Sequence, residues 1–273
     1  MKTKSVIVIP IYQHKLAESE IKSFNQCINI LKNHKIVIVS PFDLDTNKLN
    51  DSLKYKDSII DVIKFESKYF LGTTRYSQLL ISPFFYAKFS NYDYILIYQL
   101  DAWVFSDQLE FWAQKKFDFI GAPWFEGYGN PVSNKLIGVG NGGFSLRNVK
   151  SCIKISKRVF YIRYLYLLLY KLFGKIFERD TLQRIILYIF RIEKKTENDR
   201  NALFEIDVKY EDYYWTVVIS RFFDFKIATL NDAISFGFEV NPEILYSLNN
   251  EKLPFGAHAW QKYSPQFWKK FIF

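Results

Sequence analysis

The chain has 273 residues, 49% of them hydrophobic, which suits one large domain or two small ones with a substantial core. Its net charge is +9, but residues 154–195 contain eleven lysines and arginines against three acids, so this segment alone carries +8. The protein is therefore not basic throughout, as a general nucleic-acid binder would be. Its two cysteines, Cys27 and Cys152, lack metal-binding spacing and are expected to be reduced thiols of a cytosolic protein.

The N-terminus resembles a signal peptide only briefly. Its apolar run, residues 5–9, is shorter than the roughly 7–15 residues of a signal-peptide core, and no small-residue cleavage site follows. We therefore expect a first β-strand that ends at Pro10.

Short apolar strands alternate with helical patterns through the first half of the chain. The predicted strands are residues 5–9, 35–40, 59–65, 92–100 and 117–121, and the predicted helices are 16–34 and 73–89, the second of which contains Pro83. This alternation predicts a mostly parallel sheet with helices on both faces. Ligands of such sheets bind beyond the carboxyl ends of the strands, where Tyr12 and Asp101 are expected.

Asp101 follows a strand of almost wholly apolar residues. A buried carboxylate without a partner costs several kcal/mol or takes up a proton. We therefore expect a partner for Asp101, which could be a backbone amide, an arginine or a metal bound to a ligand.

Two further segments allow a functional and a purely structural interpretation. Residues 126–143 are rich in glycine and asparagine, which fits either close approach of the backbone to a ligand or a mobile turn. Glu211 and Asp212 begin a predicted helix among tyrosines and tryptophans. Acids favour the first turn of any helix, but a carboxylate on an aromatic surface also suits sugar recognition and could act as a general base.

The basic segment 154–195 has the pattern of an amphipathic helix. Lys157, Lys171, Lys175 and Arg179 share one face, and Ile162, Leu165, Leu169, Phe173 and Ile176 share the other. Its uncharged runs are too short to span a bilayer. The pattern fits a helix in a membrane interface or a basic helix packed on the protein's own core, and nucleic-acid binding is the least favoured of the three interpretations.

Six motifs in chain order resemble those of nucleotide-sugar glycosyltransferases of the GT-A fold. The resemblance is nearest to a bacterial glycosyltransferase-like family of unassigned function, and it covers nearly the whole chain except the basic segment. The motifs are Val8-Ile9-Pro10-Ile11-Tyr12, Tyr98-Gln99-Leu100-Asp101-Ala102-Trp103-Val104-Phe105, Ile120-Gly121-Ala122-Pro123-Trp124, Gly140-Asn141-Gly142-Gly143-Phe144-Ser145-Leu146-Arg147, Glu211-Asp212 and Phe255-Gly256-Ala257-His258-Ala259-Trp260.

The resemblance implies a role for each matching residue. Asp212 would be the catalytic base of an inverting transfer, and Glu211 would orient the acceptor. Asp101 and His258 would hold a divalent cation, Mn²⁺ or Mg²⁺. The donor-binding residues would be Pro10, Tyr12, Arg75, Asp101, Asn141, Gly142 and Gly143, and the acceptor-binding residues would be Trp124, Trp215 and Trp260.

One departure from the family pattern bears on the metal. Where the Asp-x-Asp motif has its second acid, this chain has Trp103. Hard cations prefer oxygen ligands but can keep several waters, so a site of Asp101, His258 and two phosphate oxygens is chemically possible. A side-chain cation such as Arg75 could instead stabilise the leaving diphosphate.

We therefore predict a single GT-A-like α/β domain in three parts. Residues 1–153 would bind the nucleotide sugar, 154–200 would be a basic amphipathic helical insertion, and 201–273 would complete the domain with acceptor and catalytic residues. The expected partners are a nucleotide-sugar donor, a saccharide or lipid-linked saccharide acceptor and, through 154–195, the inner face of the cell membrane. We expect no nucleic-acid partner.

The expected function is sugar transfer in bacterial surface polysaccharide or glycolipid assembly. A retaining transferase and a non-catalytic, membrane-peripheral binding module on a degenerate transferase fold are the alternatives. A nucleotidyltransferase would have a Gly-rich basic loop after its first strand, which Pro10-Ile11-Tyr12-Gln13 is not.

Overall fold

The computed structural model describes residues 3–49, 53, 60–193 and 196–272. Its centre is a six-stranded sheet made of β1 (Ser5–Pro10), β2 (Lys35–Pro41), β3 (Asp61–Phe65), β4 (Tyr94–Tyr98), β6 (Phe119–Ile120) and β9 (Phe144–Asn148). The strand order is β3-β2-β1-β4-β9-β6; the first four strands are parallel, and β9 runs antiparallel to both its neighbours. The predicted mostly parallel α/β sheet is confirmed.

The apolar strands in the middle of the sheet are buried on both faces. Successive side chains of a strand point to opposite faces; Val6 and Val8 of β1 accordingly belong to one hydrophobic core cluster, and Ile7 and Ile9 to another. This burial on both sides explains why these strands are continuously apolar rather than alternating.

Helices cover both faces of the sheet. They are α1 (Glu18–Ile30), α2 (Thr73–Leu80), α3 (Pro83–Ala87), α4 (Leu109–Gln114), α5 (Val149–Phe173), α6 (Arg179–Ile189), α7 (Glu197–Phe204), α8 (Glu211–Tyr213), α9 (Ser220–Phe222), α10 (Leu230–Phe236), α11 (Pro242–Leu248) and α12 (Pro265–Trp268). Residues Thr46–Leu49 and Ser67–Phe70 form 3-10 turns, and Tyr214–Ile219 is a π-helical stretch between α8 and α9.

The helix predicted over 73–89 is two helices. Pro83 has no N–H to continue α2, and its fixed φ suits the first position of a new helix. Ser82 caps that helix, since its Oγ accepts a hydrogen bond from the N–H of Phe85 at 3.2 Å. The other predicted elements lie within a few residues of the observed ones; Ile59, at the start of the third predicted strand, lies outside the described residues.

The basic segment does not form the single helix that its pattern predicted. α5 ends before Gly174 and α6 begins at Arg179, so Lys175 and Arg179 are not on the face of α5 that carries Lys157 and Lys171. The predicted apolar face also points inward at its start, where Ile162 is fully buried in the core. Lys194 and Lys195 lie outside the described residues.

Much of the apolar surface of this segment is nevertheless exposed to solvent, including Phe173 and Ile176 of the predicted face. Large hydrophobic side chains with at least 40% exposure line α5, α6 and their connection: Phe160, Tyr161, Tyr164, Leu167, Leu168, Tyr170, Leu172, Phe173, Ile176, Phe177, Ile185, Tyr188 and Ile189. We call this set the exposed hairpin surface. No helix in the part of the chain that the structure describes is long and apolar enough to cross a membrane.

Two small sheets complete the fold beside the carboxyl ends of the central strands. β5 (Trp103–Val104), β10 (Gly237–Phe238) and β11 (Gly256–Ala257) form one, and β7 (Pro123–Phe125) and β8 (Leu136–Val139) form the other. They bring the segments around 239, 258 and 140 to the edge where β1 and β4 end.

Candidate active site

A cavity of about 410 Å³ opens at the carboxyl ends of β1 and β4. Its walls include three of the residues predicted to bind a donor, Pro10, Tyr12 and Asp101, together with Tyr76 and Gln99. This is the edge at which parallel α/β sheets bind ligands. Tyr12 is 57% exposed, so its ring is available to a ligand.

The structure places Arg75 away from this cavity. Arg75 is exposed on the other side of α2, where it lines a separate, mostly apolar groove with Phe84 and Phe160 and donates a hydrogen bond to Oε1 of Gln78 at 3.0 Å. On a helix, residues next to each other in sequence point in directions about 100° apart, so Tyr76 faces the cavity while Arg75 does not. The prediction that Arg75 contacts the donor phosphates is not supported by this arrangement.

The partner of Asp101 is the imidazole of His258. Oδ1 of Asp101 lies 3.1 Å from Nε2 of His258, which directly follows β11. Burial opposes the charged form of His258, but the Asp101 and Glu239 carboxylates outweigh it and raise its pKa to about 10. Burial likewise opposes ionisation of Asp101, and the charge of His258 more than compensates, so the pKa of Asp101 lies below its ordinary value.

Glu239 completes this group, although it lies in none of the sequence motifs. Its Oε1 lies 2.9 Å from Nδ1 of His258, on the opposite edge of the ring from Asp101. Nδ2 of Asn141 lies 3.1 Å from the same Nδ1. Glu239 follows β10 and is brought beside His258 because β10 and β11 are paired.

Asn141 fixes the glycine-rich turn next to His258. It is buried and adopts a left-handed backbone conformation with φ 68°. Its Oδ1 accepts hydrogen bonds from the N–H groups of Gly143 at 3.0 Å and Phe144 at 3.1 Å. The turn is therefore built around one amide side chain, and these hydrogen bonds speak against the alternative interpretation of the segment as a mobile turn.

The two glycines of the turn are required by the close approach of functional side chains. A Cβ on Gly143 would lie 2.0 Å from Nε2 of His258, and a Cβ on Gly142 would lie 2.2 Å from Oε1 of Glu211. Both distances are well below van der Waals contact. The turn thus connects the His258 group to the Glu211–Asp212 pair.

Glu211 is held in the interior by an arginine whose role the sequence did not reveal. Arg147 on β9 is fully buried, and its Nη2 donates to Oε1 of Glu211 at 2.7 Å and to the carbonyl of Gly142 at 3.2 Å. Its remaining donors reach Oγ of Ser145 and the hydroxyl of Tyr86. The sequence signal that could have identified Arg147 was the presence of a charged residue at a core position of a strand.

The second oxygen of Glu211, Oε2, is buried and has no hydrogen-bond partner among the described residues. Burial raises the pKa of this carboxyl to about 7; Asp212 adds to the effect and Arg147 opposes it. Glu211 is only 5% exposed, which leaves little of it accessible to an acceptor and makes it an anchor for the start of α8.

Asp212 is the accessible member of the pair. Its side chain is half-buried, and its Oδ1 accepts a hydrogen bond from the N–H of Tyr213 at 2.9 Å. Burial raises its pKa and Glu239 adds to the effect, while the backbone amides of Tyr213 and Asn141 oppose it. A carboxylate near the turn, with a raised pKa and an open side, has the properties of a general base.

The three tryptophans predicted to bind an acceptor have different environments. Trp124 is 8% exposed and packs beside Tyr128 and Tyr213, and Trp260 is half-buried against the edge of the Trp103 ring. Trp215 is 1% exposed, and its Nε1 donates to the carbonyl of Leu80 at 3.2 Å. The prediction that Trp215 contacts an acceptor does not hold, because its ring is enclosed in the core.

Asp101 and His258 would serve as two ligands of a divalent cation only with His258 neutral, so the cation would replace the proton that Nε2 of His258 shares with Asp101 at 3.1 Å. Glu239 would then be the outer carboxylate that orients the metal-bound histidine. No group of three or more His, Cys, Asp or Glu side chains suited to a metal occurs among the described residues. A cation here would need its other ligands from a diphosphate and water.

Several solved structures that align with most of this chain are sugar transferases. Mouse xyloside xylosyltransferase 1 aligns over 92% of this chain and 96% of its own, with 11% identity and a TM-score of 0.50. The galactosyltransferase LgtC, solved with donor and acceptor sugar analogues, aligns over 93% of this chain and 86% of its own, with 13% identity and a TM-score of 0.45.

The glycosyltransferase GlyE of Streptococcus pneumoniae TIGR4 aligns over 99% of this chain, with 13% identity and a TM-score of 0.44, and this chain spans 60% of its length. At these identities the likeness establishes the fold, and the fold is that of the GT-A glycosyltransferases.

No curated protein sequence matches the chain significantly. The model of the family described as "Protein of unknown function (DUF5672)" matches residues 59–258, which include Asp101, the turn at 140–143, Glu211, Asp212 and His258. Because this match covers well over half of the chain, the protein belongs to the DUF5672 family.

Proposed function

We propose that the protein is an inverting glycosyltransferase that transfers a sugar from a nucleotide-sugar donor to an acceptor hydroxyl. The observation that carries the proposal is the chain of contacts from Asp101 through His258 and the 140–143 turn to the Glu211–Asp212 pair. Asp101, which we propose to lie at the donor phosphates, and the candidate base Asp212 are thus connected through one glycine-rich turn, beside a cavity at the edge of the sheet where ligands of this fold class bind.

In this proposal the cavity receives the nucleotide. Pro10 and Tyr12 would contact the nucleoside, and Asp101 and His258 would lie at the diphosphate. A cation held by Asp101 and His258 would neutralise charge on the leaving diphosphate. Asn141, Gly142 and Gly143 would flank the donor sugar, and the lack of side chains on the glycines lets His258 and Glu211 pack against this turn.

Asp212 would take the proton from the acceptor hydroxyl. The hydroxyl oxygen then forms a bond to the anomeric carbon as the bond from that carbon to the diphosphate oxygen breaks, and the departing nucleoside diphosphate keeps the electron pair. Glu211 would position Asp212 by anchoring the start of α8 to Arg147. We propose this anchoring role for Glu211 in place of direct orientation of the acceptor, because Glu211 is only 5% exposed.

We further propose that the exposed hairpin surface binds the inner face of the cell membrane. It combines exposed apolar and aromatic side chains with the most basic segment of the chain, the combination that favours an interface with anionic lipids. That location would suit a lipid-linked acceptor in surface polysaccharide or glycolipid assembly. We also propose that the domain consists of three parts, which meet at residues 153 and 200.

The activity is tested with a panel of nucleotide sugars. ³¹P NMR would follow release of nucleoside diphosphate with and without Mn²⁺, and thermal unfolding would report binding, since a ligand at about 100 times its Kd adds roughly 2.7 kcal/mol of stability. We expect one donor class to be consumed. Because Trp103 replaces the second acid of the motif, a non-catalytic sugar-nucleotide binding module is the second candidate, and binding without turnover of any donor would favour it.

A further inference from the structure

An aromatic cluster beside Asp212 is not used by the donor site. Trp124 at β7, Tyr128 in the following turn and Tyr213 on α8 are in mutual contact, with ring centroids 5.3 Å apart for Trp124 and Tyr128, 6.5 Å for Trp124 and Tyr213, and 6.4 Å for Tyr128 and Tyr213. Trp124 is nearly buried, but Tyr128 is 43% and Tyr213 39% exposed. The cluster therefore has an enclosed floor and two accessible rings.

The cluster is tied directly to the candidate catalytic groups. The N–H of Tyr213 donates to Oδ1 of Asp212 at 2.9 Å. Trp124 packs so closely on Gly140 that an added Cβ would lie 1.7 Å from its ring, and the next residue is Asn141. Movement of the cluster relative to Asp212 is therefore restricted by both the helix and the turn.

The backbone around Tyr128 is shaped to present its ring. Tyr128 has φ 54°, in the left-handed region that few non-glycine residues adopt, and Gly127 before it has φ 91°. Hydrogen bonds from the N–H of Tyr128 to the carbonyl of Phe125 and from Val132 to Glu126, both 2.8 Å, hold this turn closed. Uncommon backbone conformations that the surroundings maintain are concentrated at ligand sites.

We propose that Tyr128 and Tyr213, supported by Trp124, form the acceptor subsite and bind the saccharide ring whose hydroxyl faces Asp212. The apolar C–H face of a pyranose would pack on the exposed tyrosine rings, and their hydroxyls can hydrogen-bond the ring's edge. A cavity of about 380 Å³ continues from Trp124 and Tyr128 past Gly138 and Thr216, which leaves room for a further sugar unit. This inference rests on the proposed glycosyl transfer.

The experiment compares Tyr128→Ala and Tyr213→Ala with wild type. Acceptor-independent hydrolysis of the active nucleotide sugar is measured first, followed by transfer to a panel of methyl and p-nitrophenyl glycosides. We expect the KM for the glycoside to rise by about tenfold or more in each alanine variant, and this rise to exceed any change in the KM for the donor in hydrolysis. Phe111→Ala, an exposed aromatic on α4, is the matched control and should match wild type in both reactions.

Two results would overturn the subsite. One is an unchanged KM for the glycoside in both alanine variants, and the other is an equal loss of donor hydrolysis and transfer, which would move these tyrosines to the donor side. If wild type turns over no donor, the proposed transfer fails, and saturation-transfer NMR with the same glycosides tests the subsite alone. Glycoside signals present with wild type and lost in the alanine variants support it, and no signal with wild type rejects it.

Discussion

Nη2 of Arg147 lies 2.7 Å from Oε1 of Glu211, and the guanidinium is fully buried. The same nitrogen donates to the carbonyl of Gly142, so one buried cation joins the first residue of α8 to the turn beside His258. The position of Asp212 relative to the turn therefore depends on a pair of side chains that do not themselves need to reach the substrate.

Replacement of Arg147 by Met should destabilise the protein by roughly 3–5 kcal/mol at pH 8, because the variant leaves an unpaired carboxylate in the interior. Urea unfolding monitored by circular dichroism measures this. The Arg147→Met/Glu211→Leu double variant should recover much of the loss, since it removes both charges. The exposed pair of Lys22 and Glu18 provides a control, and Lys22→Ala should leave the unfolding midpoint unchanged. A loss in the double variant as large as in Arg147→Met would contradict this account.

The stability of the folded protein should depend on the proton of Glu211. The pKa of this group is about 7 in the folded protein and 4.5 ordinarily, so the folded protein holds the proton more tightly than the unfolded chain. The stabilisation that this proton gives to the folded state is fully present below about pH 4.5 and is lost as the pH rises through about 7. Relative to Glu211→Gln, wild type should lose roughly 3 kcal/mol of unfolding free energy between pH 4.5 and 8. If the unfolding free energies of the two proteins changed in parallel with pH, burial would not shift the pKa of Glu211.

Asp212→Asn should abolish transfer while donor binding is retained, because the amide occupies the same space but cannot accept the acceptor's proton. The expected decrease in kcat is about 10²- to 10⁴-fold, measured with the donor identified by ³¹P NMR, and the donor Kd should change by less than about threefold. Asp224→Asn removes an exposed carboxylate outside the site and should behave as wild type. Transfer at the wild-type rate in Asp212→Asn would remove the assigned base.

Removal of divalent cations should lower transfer, and Mn²⁺ should restore it. Glu239 orients His258 as an outer-shell carboxylate, so Glu239→Gln should raise the Mn²⁺ concentration needed for half-maximal activity by about 10- to 100-fold. Asp101→Asn should raise it further because it removes an oxygen ligand. If activity persists in chelator and does not respond to Mn²⁺, the imidazolium of His258 instead of a metal ion would neutralise the charge of the diphosphate.

The exposed hairpin surface should bind anionic vesicles. Leu168 and Leu172 on α5 are 42% and 61% exposed, and Leu168→Glu/Leu172→Glu should abolish co-sedimentation with phosphatidylglycerol-containing vesicles without changing Tm. Leu248→Glu alters a similarly exposed leucine on α11 and should sediment like wild type. Equal sedimentation of all three proteins would place the membrane contact elsewhere.

The elements that the sequence predicted best are those set by local pattern. The strands ending at Pro10 and Pro41 are continuous apolar runs stopped by proline, and their parallel pairing follows from the helix between them. The basic segment departs from its predicted pattern because tertiary contacts override it. Ile162 packs on the core and Gly174 ends α5, while Phe173 and Ile176 of the predicted apolar face remain exposed.

The candidate site divides in the same way. Asp101, His258 and the turn at 140–143 occur in motifs whose order along the chain indicates a shared edge of the sheet. Glu239 carries no such local signal, because its position depends on the pairing of β10 with β11. Arg147 ends the motif that begins at Gly140, but its contact with Glu211 depends on the burial of β9. Trp215 was misassigned because a tryptophan three residues after a pair of acids has the same sequence pattern whether its ring faces solvent or the core.

The central claim is that one cleft holds the donor diphosphate at Asp101 and His258 with its sugar directed toward Asp212. A crystal structure of the protein with Mn²⁺ and a non-hydrolysable nucleotide sugar tests it most directly. We predict the nucleoside beside Tyr12, the diphosphate within reach of Asp101 and His258, and the sugar against Gly142 and Gly143. A ligand bound in another cavity, or a sugar directed away from Asp212, would contradict the claim.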